Sequence, residues 1–173
     1  LHTRKEEFIA DVCGVRSIAF NADGTLLACG GIIDAETNTF CPGKPRVLVF
    51  DWSSGKLKST LEFAAKSDGP INGLRFLKDG TLTGYGENMN AKTVLAFWKM
   101  DQAEAFHTLP GESAYDLDLH PDGVRLLAPT FVSNGSGGNG AREKQKAKYI
   151  PNGALVQVLN MFEKKAEPKP AKK

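Results

Sequence analysis

Along "SIAFNADGTLLACGG", residues 17–31, apolar and polar positions alternate, break at Asn-Ala-Asp-Gly, and resume as a second apolar run that ends in Gly-Gly. Alternation of this kind puts every second side chain on one face, the signature of a half-buried strand. Asp-Gly between two such runs specifies a hairpin, because Gly takes the positive φ of a tight turn at no steric cost. The pattern recurs at "INGLRFLKDGTLTGYGE" from Ile71 and at "AYDLDLHPDGVRLLAPT" from Ala114. Its turn chemistry recurs with it, at Asp23-Gly24, Asp79-Gly80 and Asp122-Gly123, with Pro121 fixing φ ahead of the third. These six turn residues are therefore structural.

Each hairpin is followed, after a gap of variable length, by a third apolar run: "RVLVFDW" at 46–52, "TVLAFWK" at 93–99 and "ALVQVLN" at 154–160. In the first unit "SSGK" then turns the chain into "LKSTLE", and in the second "MDQA" leads into "AFHTL", a fourth strand in each case. Successive Asp-Gly turns lie 56 and then 43 residues apart. Four short strands at such a period describe a β-propeller blade. A β-sandwich also has short strands at regular spacing, but nothing in it requires the same turn at the same place three times over. The expected fold class is all-β, a propeller segment of about three four-stranded antiparallel blades, an incomplete ring.

The same residues resemble the WD-repeat β-propeller family. "FNADG" at Phe20–Gly24 and "LHPDG" at Leu119–Gly123 are similar to that family's hairpin, and "VFDWSSGK" at Val49–Lys56 is similar to its third-strand ending. The order here is Asp51-Trp52, the second unit has Phe97-Trp98-Lys99, and no unit carries Gly-His before its first strand. The resemblance reaches to about Met161 and is that of the C-terminal three-blade portion of a longer, bacterial-type WD-repeat protein. It implies a scaffold and is nearly silent on activity.

Superposing Phe20 on Phe76 places Leu1 on Leu57, inside a fourth strand. Residues 1–12 are accordingly expected to end a preceding blade and link it to the first unit, residues 13–162 to form three consecutive blades, and the Lys- and Pro-rich residues 163–173 to form a disordered tail. Three blades do not close a ring of four to eight. The two end faces would expose more apolar surface than a soluble monomer tolerates. Expected partners therefore include further blades upstream, or a copy of the chain itself.

Composition narrows the chemistry. A formal net charge of +2 over 173 residues gives no whole-chain field of the kind that marks a nucleic-acid binder. Cys13, Cys29 and Cys41 are widely spaced and do not cluster with His2, His107 and His120, so neither metal nor cofactor is expected. Scattered thiols fit a reducing, cytoplasmic compartment, with a Cys29–Cys41 bridge left open. No apolar run approaches the ~20 residues of a membrane span.

The candidate sites lie in the loops. The second-to-third-strand connections "GIIDAETNTFCPGKPR" (31–46) and "FVSNGSGGNGAREKQKAKYIPNG" (131–153) are long and occupy the same place in their units, so both emerge on one face. Phe40, Arg46, Arg142, Lys144, Lys146 and Tyr149 are the candidate partner-binding residues, aromatic and Arg side chains being the usual anchors of an interface. "NGSGGNGAREK" is not a phosphate loop: no Lys-Ser or Lys-Thr follows its glycines and its setting is all-β. Trp52 and Trp98, closing third strands, are expected to wedge between blades.

No nucleophile is paired with a base in any recognisable local setting, and no catalytic residue is assigned. Asp116, Asp118 and His120 alternate along one strand and would line the central channel as a polar row. The expected function is a non-enzymatic platform that binds a protein or peptide partner through its loops. The alternatives are a propeller domain of a larger enzyme, or a small-ligand binder, using that channel row, and a weak binder of anionic partners using the basic loop and tail.

Overall fold

The computed structural model describes residues 14–35, 43–63, 69–87, 93–111, 114, 116–132, 141–142, 149–150 and 153–161. The proposed preceding-blade segment, the tail, and Phe40, Lys144, Lys146, Cys13 and Cys41 lie outside them. All regular structure among the described residues is β-strand.

Strands β1 (Gly14–Phe20), β2 (Leu26–Ile33), β3 (Lys44–Asp51) and β4 (Leu57–Glu62) form one antiparallel meander in that order. A second meander follows, β5 (Ile71–Phe76), β6 (Leu82–Glu87), β7 (Thr93–Trp98) and β8 (His107–Gly111). The third sheet has three strands, β9 (Asp118–Leu119), β10 (Arg125–Val132) and β13 (Gly153–Asn160), in the order β13-β10-β9. Inside its long connection a two-stranded ribbon forms from β11 (Ala141–Arg142) and β12 (Tyr149–Ile150).

Each Asp-Gly turn is closed the same way. Asp23, Asp79 and Asp122 each accept the backbone N–H two residues on, from Thr25, Thr81 and Val124, all at 3.0 Å. The following glycines take φ of 71°, 80° and 75°. A short carboxylate that bonds its own backbone, followed by a residue free to enter the left-handed region, makes the chain reverse where the alternation breaks.

The third unit departs from the expected pattern at its first strand, which is only two residues long rather than running from Ala114. Asp116 accepts the N–H of Leu117 at 2.7 Å through its own side chain, and Ala114 makes only an isolated bridge to Thr130. A side-chain acceptor beside the backbone competes with the ladder and shortens the strand.

The sheets stack side by side on two apolar seams. In the first, Ala28, Val47, Val49 and Leu61 of the first sheet meet Leu74, Phe76, Leu82 and Trp98 of the second. In the second, Tyr85, Leu95 and Phe97 meet Leu117, Leu126 and Ala128 of the third. The middle sheet is thus covered on both faces. The first strands converge, β1 against β5 and β5 against β9. Gly73 sets the spacing there: a Cβ on it would lie 2.7 Å from the Cβ and 2.8 Å from the backbone N of Leu117.

At the opposite edge the first two sheets are tied together. The Glu62 N–H donates to the Ala103 carbonyl at 2.8 Å, and the Trp98 indole N–H donates to the Glu62 carbonyl at 2.9 Å. Phe63 packs on Trp98 at 5.4 Å between ring centroids. Trp98 is therefore the inter-sheet wedge expected of it. Trp52 is not: it is 57% exposed and lies against Phe20 on the outer face of the first sheet.

Candidate functional site

Each sheet has two ends. One carries the Asp-Gly turns and the third-to-fourth-strand turns. The other carries the second-to-third-strand connections, which include the two long loops.

The polar row expected along β9 is only partly assembled. Asp118 and Asp116 converge on Arg75 of β5, whose Nε lies 3.1 Å from Asp118 Oδ1 and whose Nη2 lies 4.0 Å from Asp116 Oδ1. The Arg75 hydrogen bond, joined by that of the Leu119 N–H, holds the Asp118 carboxyl below the usual carboxylate range. Arg75 also donates to the Leu74 carbonyl at 2.7 Å. These carboxylates tie two neighbouring first strands together. Arg75 went unassigned in the sequence, where its signal was a lone cation at an alternating position inside "GLRF".

His120 does not join them. It turns into the third Asp-Gly turn, with Nδ1 2.9 Å from Asp122 Oδ2, and Arg125 Nη2 lies 3.2 Å from the same ring nitrogen. The N–H groups of Val124 and Arg125, with the Arg125 guanidinium, outweigh the opposing effect of desolvation and hold Asp122 well below the ordinary carboxylate range. The network fastens a turn and presents no free base beside a nucleophile. Among the described residues, no group of three or more His, Cys, Asp or Glu side chains is placed to hold a metal ion. Cys29 carries a free thiol, pushed up in pKa by burial.

A cavity of about 370 Å³ opens on the turn end between the second and third sheets, lined by Leu77, Asp79, Phe97, Lys99, Phe106 and Met161 among others. Its cation is already engaged: Lys99 Nζ lies 3.1 Å from Asp79 Oδ2, 2.7 Å from Thr81 Oγ1 and 5.5 Å above the Phe106 ring.

At the long-loop end, Arg46 stands inside β3 rather than in the loop, opposite Glu62 in the ladder. Its Nη1 is 3.5 Å from the Glu62 carboxylate. Arg142 and Tyr149 are brought together, as directly opposed residues of the β11–β12 ribbon. Nothing in the sequence pattern announced that pairing, since each strand of the ribbon is only two residues long.

No family model matches this chain, and no curated protein matches it. Among solved structures, the β-propeller domain of Cps50 (Swd1) from Myceliophteria thermophila is similar, with 16% identity and a TM-score of 0.49. The match covers 69% of this chain and 35% of that one, so the chain spans about a third of that structure's length. The sheets themselves define the class. Consecutive antiparallel sheets of four, four and three strands, stacked face to face with their first strands together, make the described residues an open β-propeller segment of three blades.

Proposed function

We propose that the chain is part of a WD-repeat-like platform, non-enzymatic, that binds a protein or peptide partner at the end carrying the second-to-third-strand loops. The observation that carries this reading is the β11–β12 ribbon, which extends the longest of those loops and opposes Arg142 to Tyr149 in register. Arg142 and Tyr149 are paired in the ladder there, and aromatic and arginine residues are the types that dominate protein interfaces. The apolar seams hold the blades together as a base beneath that end. The acidic row is a weaker candidate, because Arg75 already occupies Asp116 and Asp118.

Replacing residues 133–152 by a short Asn-Gly turn tests the reading. Partner capture is expected to fall at least tenfold, and Arg142→Ala with Tyr149→Ala to reproduce most of the loss. Asp101→Ala, on the turn end, is expected to leave capture unchanged. Capture that survives the loop replacement intact would refute the platform reading.

A further inference from the structure

Two sheet faces are apolar and, among the described residues, covered by no other sheet. On the first sheet, Ile18 and Phe20 stand opposite Cys29 and Leu27, which in turn stand opposite Leu48 and Phe50. Residues directly opposed across an antiparallel ladder share a face. These six therefore form one surface, turned away from the seam that buries Ala28 and Val49, and Ile18 is 58% exposed. On the third sheet, Leu127 stands opposite Val158 and Pro129 opposite Val156. This surface is turned away from the seam that buries Leu126 and Ala128, and Val156 is 63% exposed.

The two interior seams show what each face accepts. Counted from the Asp-Gly turn, Ile18, Phe20 and Leu27 occupy the places that Leu117, Leu119 and Leu126 occupy in the third sheet, where the second sheet covers them. Ile18 and Phe20 likewise match Leu74 and Phe76, which the first sheet covers. The covering residues in the first seam include Ala28, Val49 and Val47, and their counterparts on the third sheet are Leu127, Val158 and Val156. The open face of the first blade is thus of the inserting kind, and the open face of the third blade is of the receiving kind. They lie at opposite ends of one stack.

We propose that two copies of this chain close head to tail, the Leu127, Val156 and Val158 face of each covering the Ile18, Phe20 and Phe50 face of the other. The occupant is a second copy: it carries both faces, each the counterpart of one already buried in an interior seam, and so covers both ends together. A two-fold pair uses the contact twice and closes. It yields six blades, within the range of known rings. The pairing does not use the long-loop end, so it stands or falls apart from the platform reading.

Sedimentation equilibrium on the whole chain, over a wide concentration range, tests it. The expected mass is twice the 18.7 kDa of one chain. Phe20→Glu and Val158→Glu, both at exposed positions, are each expected to give monomers with unchanged far-UV circular dichroism. Mixing the two is expected to restore pairs, because one unaltered contact remains between them. Ile18→Glu and Val156→Glu provide a second such set. A wild-type chain that stays monomeric, a mass that grows without limit, or mixed variants that stay apart would overturn the proposal; if a variant does not fold, the wild-type mass still decides.

Discussion

Phe20 and Trp52 meet edge to face, with ring centroids 5.0 Å apart and ring planes at 90°, on the outer face of the first sheet. The backbone aims Trp52 there, since its N–H donates to the Thr25 carbonyl at 2.9 Å just past the Asp-Gly turn. Trp98, the other tryptophan of the chain, is fully buried. In the monomeric Val158→Glu background, acrylamide is therefore expected to quench one emitting population and spare the other. Trp52→Phe should abolish the quenchable, red-shifted component and leave the blue-shifted one. Emission that stays fully quenchable in Trp52→Phe would contradict the placement of Trp98.

Glycines in this chain do two different jobs, and asparagine separates them. Gly24 sits at φ 71° with nothing near the site of a Cβ. Asn enters that backbone region readily, so Gly24→Asn should cost no more than about 1 kcal/mol. At Gly73 a Cβ meets the Leu117 backbone across the second seam. Gly73→Asn should cost more, about 1–3 kcal/mol for overpacking alone. Urea unfolding midpoints check the order of the two.

Asp51 gives the chain an acid-sensitive turn. The hydroxyls of Ser53 and Ser54, then the Ser54 N–H, donate to its Oδ1 and lower its pKa to about 2. A carboxyl whose pKa is depressed on folding adds stability above its unfolded value, near 4, and loses it as pH falls towards 2. Asp51→Asn should lower stability at pH 7 and flatten the pH dependence between 4 and 2. Thermal melts across that range are the check, and an unchanged slope would count against the serine contacts.

How far the sequence could be read follows from what each feature depends on. The hairpins were legible because Asp-Gly chemistry and alternation are local: the fourth strand of the first sheet is the expected "LKSTLE" residue for residue. β9 was overestimated because Asp116 takes the neighbouring N–H, a competition that alternation does not encode. Asp116 and Asp118 do come together, but on Arg75, more than forty residues away in sequence. His120 left the row because Arg125 and Asp122 in its own turn offered closer partners. Trp52 and Trp98 occupy similar sequence settings. Register and packing separate them: Asp51, not Trp52, stands in the ladder where Trp98 does, and the face beneath Trp98 is covered by a neighbouring blade.

Apolar seams hold the blades to one another, and the Phe63–Trp98 pair lies across the first of them. Phe63 follows the last strand of the first sheet, Trp98 ends the third strand of the second, and their rings pack across the seam at 5.4 Å and 60°. A double-mutant cycle of Phe63→Leu and Trp98→Leu, measured by urea unfolding, isolates the pair from the separate effects of each truncation. Stacked blades predict a coupling of about 0.5–1.5 kcal/mol. Strict additivity of the two substitutions would contradict the packing of the first blade on the second.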